Sequence, residues 1–327
     1  MPATLEIHGR LPRSLGTRPV FKPPSRTYCM LRGADRLPLV VPVHEPKFHW
    51  ASHLIQSTLG SSTSPYLVFS DGGQNVSFSL YLTNCRRSVA SVRAFDSFEA
   101  VVMTTDTPRV GGIIATKKMA GLRHVFSQTS ARYAIALDCE AEVQSHVDVM
   151  PLIRRWERDR TIVGWNFSPR YFPFPSMISK RRGFTERACS AVGLASRFLS
   201  VNPWFVNAPL FRRTDFDDFD ARLQRSDYSE NYEHLAYSCY LAGVHDWRVV
   251  ASEFPLEHAG CAQQRQAAPE HTFLWSRDDC PDRALRFHLD HNNRDVVVFR
   301  SSYNQSRIGL PEWRGGTPQC PATGRFR

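Results

Sequence analysis

The apolar positions of the chain fall into short unbroken runs separated by stretches in which they recur at helical spacing. Residues 37–44, LPLVVPVH, predict a buried strand, and residues 47–59 carry apolar side chains at helical spacing. Residues 66–73 predict a strand ending in a turn, 100–106 a third strand, 115–129 a helix and 133–137 a fourth strand. Strands alternating with helices in this way specify a mostly parallel sheet with crossover helices. Beyond them the pattern predicts a short helix over 151–159, a strand over 161–165 and an aromatic, proline-rich loop over 166–177. A helical segment (184–199), a strand or hairpin (202–216), a helix (231–243) closed by Gly243 as a C-cap, and a strand (246–254) complete the reading.

The ends of the chain differ from this middle. Residues 1–36 are rich in Pro, Arg, Ser and Gly without apolar periodicity and predict a basic, poorly ordered arm. The pattern weakens again from Pro255, and the last residues, GGTPQCPATGRFR, predict irregular structure. The expected organisation is therefore an arm (1–36), a central folded domain (37–260) made of halves 37–145 and 146–260, and a C-terminal extension (261–327). No internal repeat is present.

Composition narrows the class without naming a function. The chain has 327 residues, enough for a sizeable core. No apolar run approaches the roughly 20 residues that span a bilayer, and the N-terminal residues lack the pattern of a signal peptide. A soluble, cytoplasmic protein without a transmembrane segment is the expectation. The eight cysteines are spread singly, with no CxxC pair, which predicts reduced thiols. A formal charge of +10 suits nucleic acid, a membrane surface or an anionic small substrate alike, and arginines scattered through the chain tilt it towards phosphate.

The densest chemistry lies where the fourth strand ends. In YAIALDCE (133–140) an apolar run delivers Asp138 and Glu140 to the carboxyl end of a strand, where open α/β sheets bind ligands. Side chains at i and i+2 point the same way, so both carboxylates can meet one ligand. Converging carboxylates repel unless a cation or a proton lies between them, and a divalent metal completed by substrate phosphates is the usual resolution. The alternative is a solvated strand end where acidic residues merely begin a loop.

Taken with the opening strand VVPVH, the second strand ending in FSDGG and the Lys-bearing helix before YAIALDCE, the segment 38–258 resembles nucleotide-sugar glycosyltransferases of the GT-A fold. The resemblance implies an α/β, Rossmann-like, mostly parallel sheet flanked by helices, with a more irregular acceptor-side half. It implies that Asp138 lies nearer the sugar or ribose, that Glu140 is the direct ligand of Mn2+ or Mg2+, and that Asp71 contacts the nucleoside. Lys117, Lys118 and Arg123 become candidates for the diphosphate, their alternative being a solvated helix face. Here the family's D-x-D reads D-x-E.

Inverting transfer requires a base for the acceptor hydroxyl. The resemblance places it at the start of a second-half helix, where SDYSENYEH offers Asp227, Glu230 and Glu233. Glu230 is preferred and Glu233 is the runner-up, although simple helix capping also accounts for a carboxylate there and the family's Glu-Asp is Glu230-Asn231 in this chain. His258, following the strand 246–254, is the candidate third metal ligand, ahead of His288 and His291. Trp165, Tyr171, Phe172, Trp204 and Asn207 are candidates for the acceptor and sugar pocket, the alternative being ordinary core aromatics.

The implied partners are a nucleotide-sugar donor, UDP-sugar favoured, and a glycan or other hydroxyl acceptor, with no nucleic acid. Other classes compete. A nucleic-acid binder would show a recognition motif, and none is present. A nucleotidyltransferase wants a glycine-rich loop after the first strand, where VVPVHEPKFHW has no glycine. A metal-dependent phosphohydrolase would act without an acceptor. A catalytically inactive GT-A-like binding protein is the remaining alternative.

Overall fold

A computed structural model describes residues 36–59, 61–88, 98–139, 141–143, 150–167, 175–194, 201–202, 210–251, 273–277 and 297–301. In chain order the elements are β1 (Leu37–Pro42), α1 (Phe48–Ser57), β2 (Thr63–Phe69), α2 (Gly72–Ser88), β3 (Glu99–Val102), α3 (Ile113–Gln128), β4 (Tyr133–Ala136) and β5 (Ala141–Val143). They continue with α4 (Met150–Asp159), β6 (Thr161–Asn166), α5 (Pro175–Ala191), β7 (Val201–Asn202), β8 (Leu210–Arg212), α6 (Arg213–Arg225), α7 (Glu233–Val244), β9 (Arg248–Ala251), β10 (Phe273–Arg277) and β11 (Val297–Ser301).

The central sheet has the order β3-β2-β1-β4-β8. Its first four strands are parallel, and β8 runs antiparallel to β4 with Tyr133 opposite Arg212. Every residue of β1 is buried, as a central parallel strand covered on both faces requires. Pro38 and Pro42 are tolerated there because β4 pairs only with Leu39 and Val40, so neither missing N–H falls in that ladder. Helix α3 crosses from β3 to β4 and packs closely on the sheet. A side chain on Gly121 would place its Cβ 2.4 Å from Val40 and 2.6 Å from Val68, so only glycine permits this approach.

Two smaller sheets complete the description. One has the order β7-β6-β9, with β6 parallel to β9; the other has the order β10-β11-β5, with β11 antiparallel to β5. Residues from the expected C-terminal extension thus pair with the segment that follows Asp138.

Three parts of the pattern resolve differently from expectation. Residues 72–73, expected as a turn, open the long helix α2. Asp71 caps its start, accepting a hydrogen bond from the Gln74 N–H at 2.9 Å. The expected helix at 184–199 begins earlier, at Pro175, where proline suits a first helical turn. The expected strand or hairpin over 202–216 is only partly extended, since α6 starts at Arg213 and buries Phe216, Phe219 and Leu223, one face of a helix.

The thiols are also corrected. Cys189 on α5 and Cys239 on α7 form a disulfide with their Cα atoms 5.1 Å apart, while Cys85 and Cys139 are buried outside any disulfide. Packing of two helices brings the pair together, and no local spacing announces it. Among the described residues no helix is long and apolar enough to cross a membrane.

The disulfide closes a loop across a sequence separation of 50, for which the chain-entropy model gives about 4 kcal/mol. Replacing both cysteines by alanine is expected to lower unfolding stability by roughly 2–4 kcal/mol in urea denaturation. An unchanged midpoint, or two free thiols at these positions by alkylation and mass analysis of the unreduced chain, would overturn the assignment.

Candidate functional site

The strand order creates one preferred place for a ligand. The chain builds β1, β2 and β3 outward in one direction and then returns to place β4 on the other side of β1, so connections diverge between β1 and β4. In open α/β sheets the crevice outside the carboxyl ends at such a point is the binding site. Asp138 lies two residues beyond β4, at that end, with its side chain 39 % exposed.

A buried cation holds it there. Lys118 Nζ lies 2.9 Å from Asp138 Oδ1 and 3.0 Å from Glu233 Oε1, with the side chains of Lys118 and Glu233 3 % and 0 % exposed. His234 is buried behind them, its Nδ1 3.9 Å from Glu233 Oε1. Burial favours the neutral form of Asp138, but the Lys118 ammonium, with His234 and Lys47 beyond it, outweighs that and holds the carboxyl below its ordinary value. Burial likewise pushes Glu233 up, and Lys118 and His234 bring it below its ordinary value against repulsion from Asp138. For Lys118 burial opposes the charge, while the two carboxylates more than restore it and raise the ammonium above its ordinary value. All three groups are ionised in the folded chain.

The neighbouring lysine is buried for a different purpose. Lys117 donates to the Val43 carbonyl at the end of β1 and to Gln74 Oε1 at 3.0 Å, and the same Gln74 oxygen accepts from the Ser70 N–H at 2.9 Å. Gln74 therefore ties the ends of β1 and β2 to the start of α3. Asp71, exposed at the end of β2, sits within electrostatic reach of this lysine.

The start of α3 is pinned by the segment before α7. Gly111, at φ 67°, has its N–H on the Tyr228 carbonyl at 2.9 Å, and the Gly112 N–H meets the Glu230 carbonyl at 3.2 Å. Asn231 Oδ1 accepts from the N–H groups of Ile114 and Ala115 at 3.1 and 3.3 Å, capping the helix from a distant part of the chain. A Cβ at Gly112 would lie 2.2 Å from that oxygen, so the glycine pair makes room for the cap.

The expected site residues thus separate. Asp138, Lys118 and Glu233 come together, and Lys117 and Asp71 border them. Lys117 and Lys118 are enclosed, committed to carbonyl and carboxylate groups rather than presented as cations for a diphosphate. Arg123 is directed elsewhere: its guanidinium forms a two-pronged pair with Asp220 on α6 at 2.6 and 2.7 Å. Glu230 is near the rim, 22 % exposed and paired to Arg187 at 2.7 Å. Tyr232 is half-buried, its ring 4.8 Å from Phe184, its hydroxyl pushed up by burial and acted on by the charges of Arg181, Glu230 and Asp138. Asp227 is exposed and lines an open cleft with Ser190, Gly193, Arg222 and Arg225.

Glu140, Tyr171, Phe172, Trp204, Asn207, His258, His288 and His291 lie outside the described residues, and of Trp165 only the backbone, in β6, is described. Among the described residues no three His, Cys, Asp or Glu side chains converge as a metal site. Asp138 offers one partly exposed carboxylate, with one oxygen already on Lys118. Sequence reasoning missed Gln74, Asn231 and Lys47. Asn231 had a signal, since it stood where the family pattern has an acidic residue.

Lys117 supplies a test of this geometry. Burial pushes its ammonium down to about 8 from an ordinary 10.5, against the opposing influence of Cys139 and Asp71. Below pH 8 both folded and unfolded chains hold the proton; between about 8 and 10.5 the unfolded chain holds more, so stability rises with pH. Relative to Lys117→Met, the wild type is expected to gain about 2 kcal/mol between roughly pH 7.5 and 10.5, read from urea midpoints. A difference that stays flat over that range would place the ammonium in solvent.

No family model matches the chain, and no curated protein matches it. Among solved structures the chain is similar to S. aureus TarS, a glycosyltransferase, at 10 % identity over 40 % of this chain and 22 % of TarS, with a TM-score of 0.24. The chain therefore spans about a fifth of the length of that protein. The described fold is α/β, with a mixed, mostly parallel sheet flanked by helices.

Proposed function

We propose that the chain is a GT-A-type glycosyltransferase that moves a sugar from a nucleotide-sugar donor to an acceptor hydroxyl. The observation that carries this reading is the Asp138 carboxylate, fixed by a buried ammonium at the carboxyl end of β4, beside the point where the strand order reverses. A carboxylate held there can accept hydrogen bonds from ribose or sugar hydroxyls, and in this reading Asp71, at the end of β2, is the nucleoside contact. The amino end of α3 lies at the same edge; its Ile114 and Ala115 N–H groups are capped by the uncharged Asn231, and its dipole adds a positive field there in this reading.

Glu230 is the base in this reading. It lies at the rim beside Tyr232, whereas Glu233 is enclosed. Mn2+ or Mg2+ is part of the proposal: Asp138, Glu140 and His258 would hold it, and it would neutralise the charge of the departing diphosphate. UDP-sugar is the favoured donor.

A binding-only relative is the second reading, in which Glu230 stays paired with Arg187 and takes no proton.

Thermal-shift measurements of the purified chain with UDP, GDP, CMP and their sugar conjugates, each with and without Mn2+ or Mg2+, test the proposal. Native-state binding at a hundredfold excess over Kd adds about 2.7 kcal/mol, a shift of several degrees. One nucleotide is expected to raise the melting temperature, and Asp138→Asn is expected to abolish that rise. Sensitivity to EDTA supports the metal, and release of free nucleotide with an acceptor present separates the enzyme from the binding-only relative. Absence of any shift, or a full shift in Asp138→Asn, would sink the reading.

A further inference from the structure

We propose that Glu233 is a positioning residue: it neutralises Lys118 so that the buried ammonium serves as a fixed donor to Asp138, whose remaining acceptor capacity is turned towards a ligand hydroxyl. This inference rests on the donor-binding reading given above. It concerns the same site and assigns the enclosed carboxylate a role other than that of the acceptor's base.

The geometry points to it in three ways. Glu233 is fully enclosed, so no acceptor hydroxyl can reach it, while it stands 3.0 Å from Lys118 Nζ. Asp138, the other partner of that ammonium, is 39 % exposed and 2.9 Å away. The cluster therefore has a closed end and an open end, with the lysine between them. Its charges also matter. Glu233 balances the Lys118 ammonium, so that the Asp138 charge is not cancelled by it alone, while Lys47 and His234 act on Asp138 from farther off. An ionised carboxylate with an exposed face accepts charge-assisted hydrogen bonds from hydroxyl groups, the kind of group a ribose or sugar presents.

The sequence supports the same division of labour. Glu233 is the first residue of α7, whose preceding segment is locked onto the start of α3 through Tyr228, Glu230 and Asn231. The backbone thus sets the distance between Lys118 and Glu233 from both sides, as a positioning group needs.

Three variants test it: Lys118→Met, Glu233→Gln and the two together. Removing one partner of a buried ion pair leaves the other uncompensated, so Lys118→Met alone is expected to lower the urea midpoint sharply, and adding Glu233→Gln is expected to recover most of that loss. Affinity for UDP-glucose and GDP-mannose, measured by calorimetry on the full chain, is the second readout. It is expected to fall roughly tenfold to a hundredfold in Glu233→Gln and to stay low in the refolded double variant, as loss of a charged hydrogen bond predicts. A double variant that binds as tightly as wild type would reduce the pair to a structural one and overturn the proposal while leaving the donor reading intact. Glu233→Gln that binds normally but transfers no sugar would overturn it in favour of a base. A wild type that binds neither nucleotide sugar would overturn the donor reading itself, and this proposal with it.

Discussion

A lysine enclosed between two carboxylates is the contact on which the arrangement of this site depends. Moving an isolated ammonium out of water costs several kcal/mol, so Lys118 is tolerable in the interior only because Asp138 and Glu233 lie 2.9 and 3.0 Å away. Those three residues come from α3, the end of β4 and the start of α7. Each segment must therefore arrive at one place. Gly121 lets α3 settle on Val40 and Val68, Gly111 and Gly112 admit the segment before α7, and Asn231 fixes that segment to the helix it touches. Enlarging any of these glycines would disturb the ion pairs without touching them.

Lys117 and Lys118 are consecutive, yet their destinations differ by about 100° around the helix, as one residue of helical rotation dictates. One reaches the carbonyl at the end of β1 and the other reaches the carboxylate beyond β4. The helix is thereby bolted across the two strands that flank the switch point. Cations that the sequence suggested for a diphosphate become the scaffold that presents a carboxylate. What remains for an anion at this edge is the field of the helix start, which the trans cap by Asn231 uses only in part, since the side chain accepts from two N–H groups and carries no charge.

The parts of the fold visible in the sequence are those in which local pattern and tertiary environment agree. The runs at 37–44, 66–73 and 133–137 became central strands because they are buried on both faces, and the 115–129 periodicity became α3. Helix α2 was hidden because Gly72 and Gly73 read as a turn and its residues alternate small polar with apolar. Helix α6 was hidden because Phe211 and Phe216 read as one extended aromatic stretch, whereas Phe216, Phe219 and Leu223 are the helical face. At the site, Asp138 was legible because an apolar strand ends on it. The contact of Lys118 with Glu233 was not, since it joins residues more than a hundred apart in sequence, which no spacing rule reaches. The same holds for Cys189 and Cys239.

The two acidic residues before and at the start of α7 are distinguished by the strength of what holds them. Glu230 is paired to Arg187 at the surface, with side chains 22 % and 52 % exposed, and an exposed pair of this kind is worth little and opens readily. Glu233 is enclosed against an ammonium that it could leave only by stranding a buried charge. A group that must accept a proton from an entering hydroxyl has to be reachable and has to be able to exchange partners. Glu230 meets both conditions and Glu233 meets neither. The carboxylate that a simple helix-capping argument would have treated as interchangeable with its neighbour is thus assigned by burial to the scaffold, which leaves Glu230 as the carboxylate that the proposed transfer can use.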